Sequence, residues 1–327
     1  IDIISDVENF YWDLVFSIDD LEVKKKSLER ARDLERRVKA QVAVGIMAPI
    51  ETLQAESEVA SREELLLAAQ DLIKDDEDNL KNILNINFES AEGIKAIVPA
   101  EHPEVIVDEI AIDEAIKKAL SQRPDYLAKK RELENQDILV KYRENQIYPS
   151  VDLVGSLGLN GLSGDGTGKF QGGYGDTLSD TLSGDYYNWE VGIKLSYPLG
   201  NRSAKSQLTA SRLQKAQLLL SMKNLEKDII VEARQAIRQI KTDTKRIQAS
   251  GAARKLAKEK LKAEEKKFKV GLSTSFNVLE FQEDLAEMQR NELKAIIDFN
   301  KSKTHLRQAL ATTLENHNIK LQEEEDF

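Results

Sequence analysis

Apolar and polar residues recur along this chain with two different periods, and the changes of period divide it. Between residues 5 and 44, Val7, Phe10, Tyr11, Leu14 and Val15 fall at helical spacing. Breakers are few there, and acids precede bases at i,i+4, as in Glu22 with Lys26. One long helix is predicted. Gly45 and Pro49 punctuate it, since glycine supplies tight-turn angles and proline suits the first turn of a following helix. A second helix is predicted to about Leu84. The stretch 85–111, with Pro99 and Pro103, reads as a connector. Asp113 is expected to cap a short helix through Leu120. Ser121-Gln122-Arg123-Pro124-Asp125 then restarts a helix that reaches about Tyr148.

After Pro149 the period becomes two. Val151, Leu153, Leu157 and Leu159 take odd positions, and Trp189, Val191, Ile193, Leu195 and Tyr197 alternate with Glu190, Gly192, Lys194 and Ser196. Two strands are predicted, joined by an exposed, mobile Gly/Ser/Asp-rich loop at about 160–185. From Ser203 to Val270 there is no proline and one glycine, Gly251, so about 100 Å of continuous helix is expected. Within it Met222, Leu225, Ile229, Ala233, Ala236, Ile240 and Ile247 recur as a coiled-coil seam. After Ser273, the residues Leu285, Met288, Ile296, Phe299, Leu306 and Leu310 mark a similar stripe on a last long helix.

The pattern repeats. Val44-Gly45-Ile46 and Val270-Gly271-Leu272 lie 226 positions apart, and at the same offset Leu53 matches Leu279, Val59 matches Leu285, Leu80 matches Leu306 and Leu84 matches Leu310. The offset is far too long for a solenoid repeat and implies a duplicated, pseudo-symmetric module. The chain opens at Ile1 already in a helical pattern, so it reads as a processed or truncated product. The counterpart of 113–226 is then expected upstream, with a partner hairpin in it.

Composition narrows the function. Charged residues make up 32% and aromatics only 6%, which suits long helices around a thin core. The net charge of −10 disfavours nucleic-acid binding, because a phosphate backbone rewards cationic surfaces. Cysteine is absent, so disulfide and thiolate chemistry are excluded. His102, His305 and His317 share no metal-ligand spacing. Gly164-Asp165-Gly166-Thr167-Gly168-Lys169 has the wrong spacing for a phosphate loop, with Phe170 where Ser or Thr is needed. Gly172-Gly173-Tyr174-Gly175-Asp176 is a single imperfect copy of a calcium-repeat pattern that needs several. No serine sits in a nucleophile-elbow pattern. No catalytic constellation, metal site or cofactor site emerges, and the chain does not read as an enzyme.

No apolar run approaches the length of a membrane helix, but strands of about 10 residues can cross a bilayer when tilted. Alternation alone fits either such a strand or a half-buried hairpin of a soluble sandwich. Tyr186, Tyr187 and Trp189 at one end of the second strand, and Tyr197 at the other, suit two interfacial belts. Two strands cannot span a membrane alone, because their edges would leave backbone groups unpaired in hydrocarbon.

Taken in order, several short motifs resemble one family. They are Arg123-Pro124-Asp125 opening a helix, Asn145-Gln146-Ile147-Tyr148-Pro149-Ser150 leading into a strand, and Trp189-Glu190-Val191-Gly192-Ile193 running to Tyr197-Pro198-Leu199. Val270-Gly271-Leu272-Ser273 follows, with Val278-Leu279 after it. Together with the duplication, the chain is similar over nearly its whole length to the TolC-like outer-membrane channels of efflux and type I secretion systems. The departure is truncation, since only the second hairpin is present.

The resemblance implies a mainly α fold with a small β part: long antiparallel coiled-coil helices of an α-barrel plus a transmembrane hairpin. The expected divisions are 1–84, a first-repeat helical pair; 85–112, an equatorial connector; and 113–148, a second-repeat helix. They continue with 149–202, the hairpin; 203–314, a long helical pair; and 315–327, a frayed tail. It implies a homotrimer in the outer membrane of a Gram-negative-type bacterium, contacting outer-membrane lipid and extending through the periplasm. Partners would be a periplasmic adaptor and, indirectly, an inner-membrane pump. Val44, Gly45 and Ile46, with Val270, Gly271, Leu272 and Ser273, would be adaptor-contact tips. Glu51, Gln54, Asn277 and Glu280 would line the channel aperture, where Glu51 and Glu280 give a trimer six carboxylates that attract cations. Gln54 and Asn277 are neutral, which weakens the ring. Trp189, Val191, Ile193, Leu195 and Tyr197 would face the membrane. A periplasmic coiled-coil adaptor or scaffold is the alternative, although no lipoyl-like pattern or series of short strands is present.

Overall fold

A computed structural model describes residues 1–90, 93–106, 111–162, 164 and 172–320. It divides into two compact units, Ile1–Leu127 with Asn224–Phe327, and Ala128–Lys223. The order of elements is α1 (Asp2–Ala43), α2 (Pro49–Ile83), α3 (Ile112–Gln122), α4 (Pro124–Asn145), β1 (Ser150–Leu159), α5 (Tyr174–Ser183), β2 (Tyr187–Ser196), α6 (Arg202–Lys269), α7 (Ser275–Ala309) and α8 (Thr313–Asn316). The chain is mostly helical, and among the described residues no helix is long and apolar enough to cross a membrane.

In the first unit the core is a narrow seam. One cluster gathers Leu34 and Val38 of α1, Ala257, Leu261 and Phe268 of α6, and Val278, Leu279 and Leu285 of α7. A second joins Leu28 and Ala31 of α1 to Val59 of α2. A third packs Ala115 and Ala119 of α3 against α6 and Phe299, Leu306 and Ala309 of α7. The expected α6 seam holds: Ile229, Ala233, Ala236 and Ile240 are buried, and Met222, Leu225 and Ile247 flank it half-buried. The α1 start is tied to the α7 end by polar side chains. Lys301 donates to Asp13 at 2.5 Å, and Glu8 accepts from Thr304, Arg307 and His317.

The two long corners have the same construction. Gly45 and Gly271 both adopt φ of 75°. Gly45 N–H donates to Val42 O and Ile46 N–H to Gln41 O, both at 2.9 Å; at the same 226-residue offset Gly271 donates to Phe268 and Leu272 to Lys267. This pairing of 5→2 and 6→1 bonds satisfies the last helical carbonyls and requires a left-handed residue. The far ends of α2 and α7 also coincide at that offset, with Asn85 at φ 53° and Ala311 at φ 57°.

Arg123-Pro124-Asp125 acts as a clamp. Arg123 grips Asp125 through two nitrogens at 3.1 and 2.8 Å, reaches Glu232 of α6 at 2.5 Å, and donates to Ala309 O at the end of α7 at 3.3 Å. The Arg123 hydrogen bonds hold the Asp125 carboxyl below its ordinary value of 3.8, and the same partners, Asp125 foremost, hold the guanidinium above its own. Asp113 does not cap α3. Ala111 precedes the helix without a side-chain cap, and Asp113 sits in the first turn, where a carboxylate favours the helix dipole.

In the second unit α4 and the first part of α6 are joined by polar contacts. Gln136 donates to Ser211 O at 3.0 Å, Arg212 meets Glu144 at 3.1 Å and Lys215 meets Asp137 at 2.5 Å. Asn201 Nδ2 donates to the carbonyls of Gln146 and Ile147 at 3.2 and 3.0 Å, closing the helix ends beside the hairpin. The strands pair antiparallel from Ser150↔Ser196 to Leu159↔Tyr187. The connector at 160–185 differs from the expected loop. Its 172–185 part holds the helix α5, begun where Asp176 accepts from Gly173 N–H at 2.8 Å and ended by Gly184 at φ 73°. The Gly172–Asp176 stretch thus opens a helix. Most of the 164–169 motif and the end of the tail, 321–327, lie outside the described residues.

Replacing Arg123 by Lys removes the two-pronged grip, since an ammonium is a point donor. Stability is expected to fall by about 1–2 kcal/mol at neutral pH, the range for lost hydrogen bonds to charged groups. Because the Asp125 pKa is depressed on folding, its contribution is present above about 4 and is lost as pH falls through the folded value. Denaturant titrations at pH 7 and pH 3 should therefore differ less for Arg123→Lys than for the parent protein.

Candidate functional site

At the glycine corners, side chains that a solitary globule would cover stand in the open. Val44 and Ile46 are 70% and 71% exposed, and Val270 and Leu272 are 69% and 78% exposed. A Cβ added at Gly45 or Gly271 would meet nothing within 4 Å, so these glycines are needed for backbone angle and not for space. Ser273 faces inward. Its hydroxyl donates to Glu264 at 2.6 Å, and with Lys267 it holds the Glu264 carboxyl below its usual range.

The four positions expected at the aperture lie in the first two turns of α2 and α7, whose starts are brought together. Glu51 accepts a hydrogen bond from the Ser275 hydroxyl, joining one helix start to the other. Asn277 is drawn back onto its own corner: its N–H donates to Thr274 Oγ1 at 3.3 Å and its side-chain amide to Ser273 Oγ at 3.4 Å. Gln54 and Glu280 are exposed. Among the described residues Glu280 has no hydrogen-bond or ion-pair partner in the chain, so of the two acids it is the free one.

Above these turns is a group not anticipated from the sequence. Arg62 of α2 is 5% exposed and makes four hydrogen bonds. It donates to Glu58 at 2.7 Å, to Ser27 O of α1 at 3.0 Å, to Gln282 at 3.2 Å and to Leu279 O of α7 at 3.2 Å. The signal was available, because Ala55, Val59, Arg62, Leu66 and Ala69 fall at 4,3,4,3 spacing, which puts an arginine in the apolar stripe. A cation there demands partners from every helix it meets.

The β1–β2 ribbon is the second candidate surface. Odd-numbered residues share one face, where Val151 opposes Leu195, Leu153 opposes Ile193 and Leu157 opposes Trp189. The other face pairs Asp152 with Lys194 and Ser156 with Glu190. Trp189, Val191, Ile193 and Leu195 all stand exposed, and so does Tyr197, one residue past the end of β2. Among the described residues no group of three His, Asp or Glu side chains could hold a metal ion.

The family model for outer membrane efflux proteins matches residues 115–312, which include the Arg123 clamp, the ribbon and the second corner. The chain belongs to the outer membrane efflux protein family. Members of this family are outer-membrane channels with large periplasmic helical portions, not enzymes. No curated protein sequence matches the chain. Solved structures of similar fold include the Campylobacter jejuni CmeC outer membrane channel, at 18% identity and TM-score 0.75, covering 97% of this chain and 65% of that one. The Vibrio cholerae outer membrane protein VceC is similar at 19% identity and TM-score 0.74, covering 94% and 69%. The open state of the Neisseria gonorrhoeae MtrE channel is similar at 14% identity and TM-score 0.71, covering 94% and 66%. The chain thus spans about two thirds of the length of these solved structures.

Gly271→Ala and Gly45→Ala are each expected to cost about 1–2 kcal/mol, the penalty of a left-handed L residue, with no clash added. Asn at either position should cost less. Unfolding midpoints of the four variants would check the order.

Proposed function

We propose that this chain is one subunit of a passive exit duct through the outer membrane, receiving substrates from an inner-membrane pump through a periplasmic adaptor. The ribbon carries the reading. Each strand is ten residues, long enough to cross a tilted bilayer path, and one face is apolar from Val151 to Tyr187 and wholly exposed. An apolar face of that size without a core to cover is the mark of a lipid or partner contact. In this reading the open edges of β1 and β2 are closed by strands from the full-length chain and from two further copies in a homotrimer. The adaptor or scaffold alternative gives that ribbon no role.

The shared offset of the corners and of α2 with α7 supports a duplicated module related by a pseudo-twofold axis. Its two corners form the periplasmic tip, where the exposed Val44, Ile46, Val270 and Leu272 offer small apolar contacts to the adaptor. Glu51, Gln54, Asn277 and Glu280 border the aperture. Opening parts the first turns of α2 and α7 and breaks the Glu51–Ser275 bond, a change between two packings of one coiled coil. Tripartite efflux and type I secretion both use such a duct.

Two measurements bear on this. In planar bilayers, Glu280→Ala combined with Glu51→Ala should change cation block and conductance. Glu280→Ala alone should weaken block, while Ser275→Ala should raise the open fraction; unchanged currents in all three would reject the aperture. Ile193→Arg should remove the protein from the outer membrane, since a cation near mid-bilayer costs about 2–4 kcal/mol. Lys194→Ala on the other face should be tolerated. Normal outer-membrane levels of Ile193→Arg would sink the membrane-strand reading.

A further inference from the structure

The helix α5, in the connector between the two strands, meets its own chain with a polar face and leaves its apolar face open. Thr177 and Thr181 are half-buried against Gly161, where an added Cβ would collide with Thr177 O and Thr181 Oγ1, so the helix rests directly on the Gly161 backbone. Asp180 is half-buried as well. The apolar residues lie elsewhere: Tyr174, Leu178 and Leu182, four apart on one stripe, are 87, 51 and 74% exposed. Asp176, Ser179 and Ser183 form a third, polar and exposed arc. No residue of α5 is buried.

A helix of ten residues is marginal in water by itself. The caps at Asp176 and Gly184 satisfy its ends but bury nothing. The Tyr–Leu–Leu stripe is the face left for a stabilising contact, and its position decides what makes that contact. Gly161 stands two residues past the end of β1, and only Gly184, Asp185 and Tyr186 separate α5 from β2. Even on an extended path Leu182 therefore lies within about 17 Å of Tyr187. Asn160 ties the two strand ends, its N–H to Tyr186 O at 2.8 Å and its side-chain amide to Asn188 at 2.9 Å. The helix is held at the end of the ribbon that carries Tyr186, Tyr187 and Trp189, aromatic residues suited to a bilayer interface. Residues 172–186 include three Asp and no Lys or Arg. Attraction to anionic headgroups then adds nothing, and apolar insertion alone carries the contact.

We propose that α5 is an interfacial helix, lying on the bilayer surface at the aromatic end of the ribbon with Tyr174, Leu178 and Leu182 inserted between headgroups and acyl chains. The inference rests on the subunit reading above, in which the ribbon crosses the outer membrane, and adds a lipid contact outside the strands. The arc of Asp176, Ser179 and Ser183 faces water. Because α5 is pinned on Gly161, its depth also fixes the height at which the ribbon sits in the bilayer.

These 327 residues contain no cysteine, so a nitroxide can be placed at one site, Leu178→Cys, with the full-length protein in phosphatidylcholine vesicles. Relaxation by oxygen, which concentrates in hydrocarbon, should exceed relaxation by a water-soluble nickel chelate. Leu182→Cys should agree, Ser179→Cys should show the reverse, and anionic lipid should leave the order unchanged. Ile193→Cys reports the membrane strand and should favour oxygen more strongly. A water-exposed label at Leu178→Cys beside a hydrocarbon-exposed one at Ile193→Cys would overturn the interfacial helix and leave the duct standing. Spin–spin broadening at Leu178→Cys that disappears on mixing with unlabelled subunits would also overturn it, because the stripes would then cover one another. Water exposure at both sites would overturn both readings. Leu178→Ser with Leu182→Ser carries the test without a label. Protease added to the vesicles should cut that variant within 172–186 and spare the parent protein, and equal cleavage of the two would overturn the lipid contact.

Discussion

Each long helix here buries only a narrow stripe, so cohesion depends also on polar groups that bridge one helix to another. Arg62 shows the constraint most clearly. It sits where a leucine would satisfy the α2 stripe, yet its guanidinium spans α1, α2 and α7 with four acceptors. Desolvating a cation is expensive, and only complete pairing offsets that cost. Asp243 repeats the logic on α6: it is fully buried and accepts from Ser302 at 2.7 Å, from Gln239 and from Arg246. Such groups add little net stability over a hydrophobic residue, but they penalise any slip along the helix axes, because slipping leaves a buried charge unpaired.

The corners show how similar sequences take on different roles. Both end a helix with the same left-handed glycine bonds, yet the next helices begin differently. At α2 the orphan donors are reduced by Pro49 at the first position; at α7 Thr274 caps Asn277. Glu51 and Asn277 occupy equivalent positions at the 226-residue offset, and they turn opposite ways. The carboxylate crosses to Ser275, while the amide folds back to Ser273. The first corner is thereby tied to the second, and the second is tied to itself through Glu264.

The periodic elements were legible because burial is one-sided. A stripe at 3.5–3.6 spacing or an alternation at 2 is a direct record of which face is covered, and the helix and strand limits follow within a few residues. The α5 helix was hidden because Gly172–Ser183 is dense in Gly, Ser, Thr and Asp, which favour turns and caps as single residues. The positions expected at the aperture came from the family resemblance, counted from the corner glycines, and that count says nothing of their partners. That Glu51 is engaged and Glu280 free depends on how close the starts of α2 and α7 come, a distance that neither helix's own pattern records. Arg62 lay in plain view at a stripe position, but the identity of its acceptors depends on which helices meet there.

Open edges occur in both units, and in the subunit reading a ring of copies would have to close them with one operation. The ribbon exposes unpaired backbone at both strand edges, and the helical layer exposes its α2 and α6 sides. All copies in a closed ring are related by the same rotation, whatever the placement of one unit against the other within a chain. A barrel of tilted strands tolerates few choices of strand number and stagger, whereas a helical seam can slip by a heptad at modest cost.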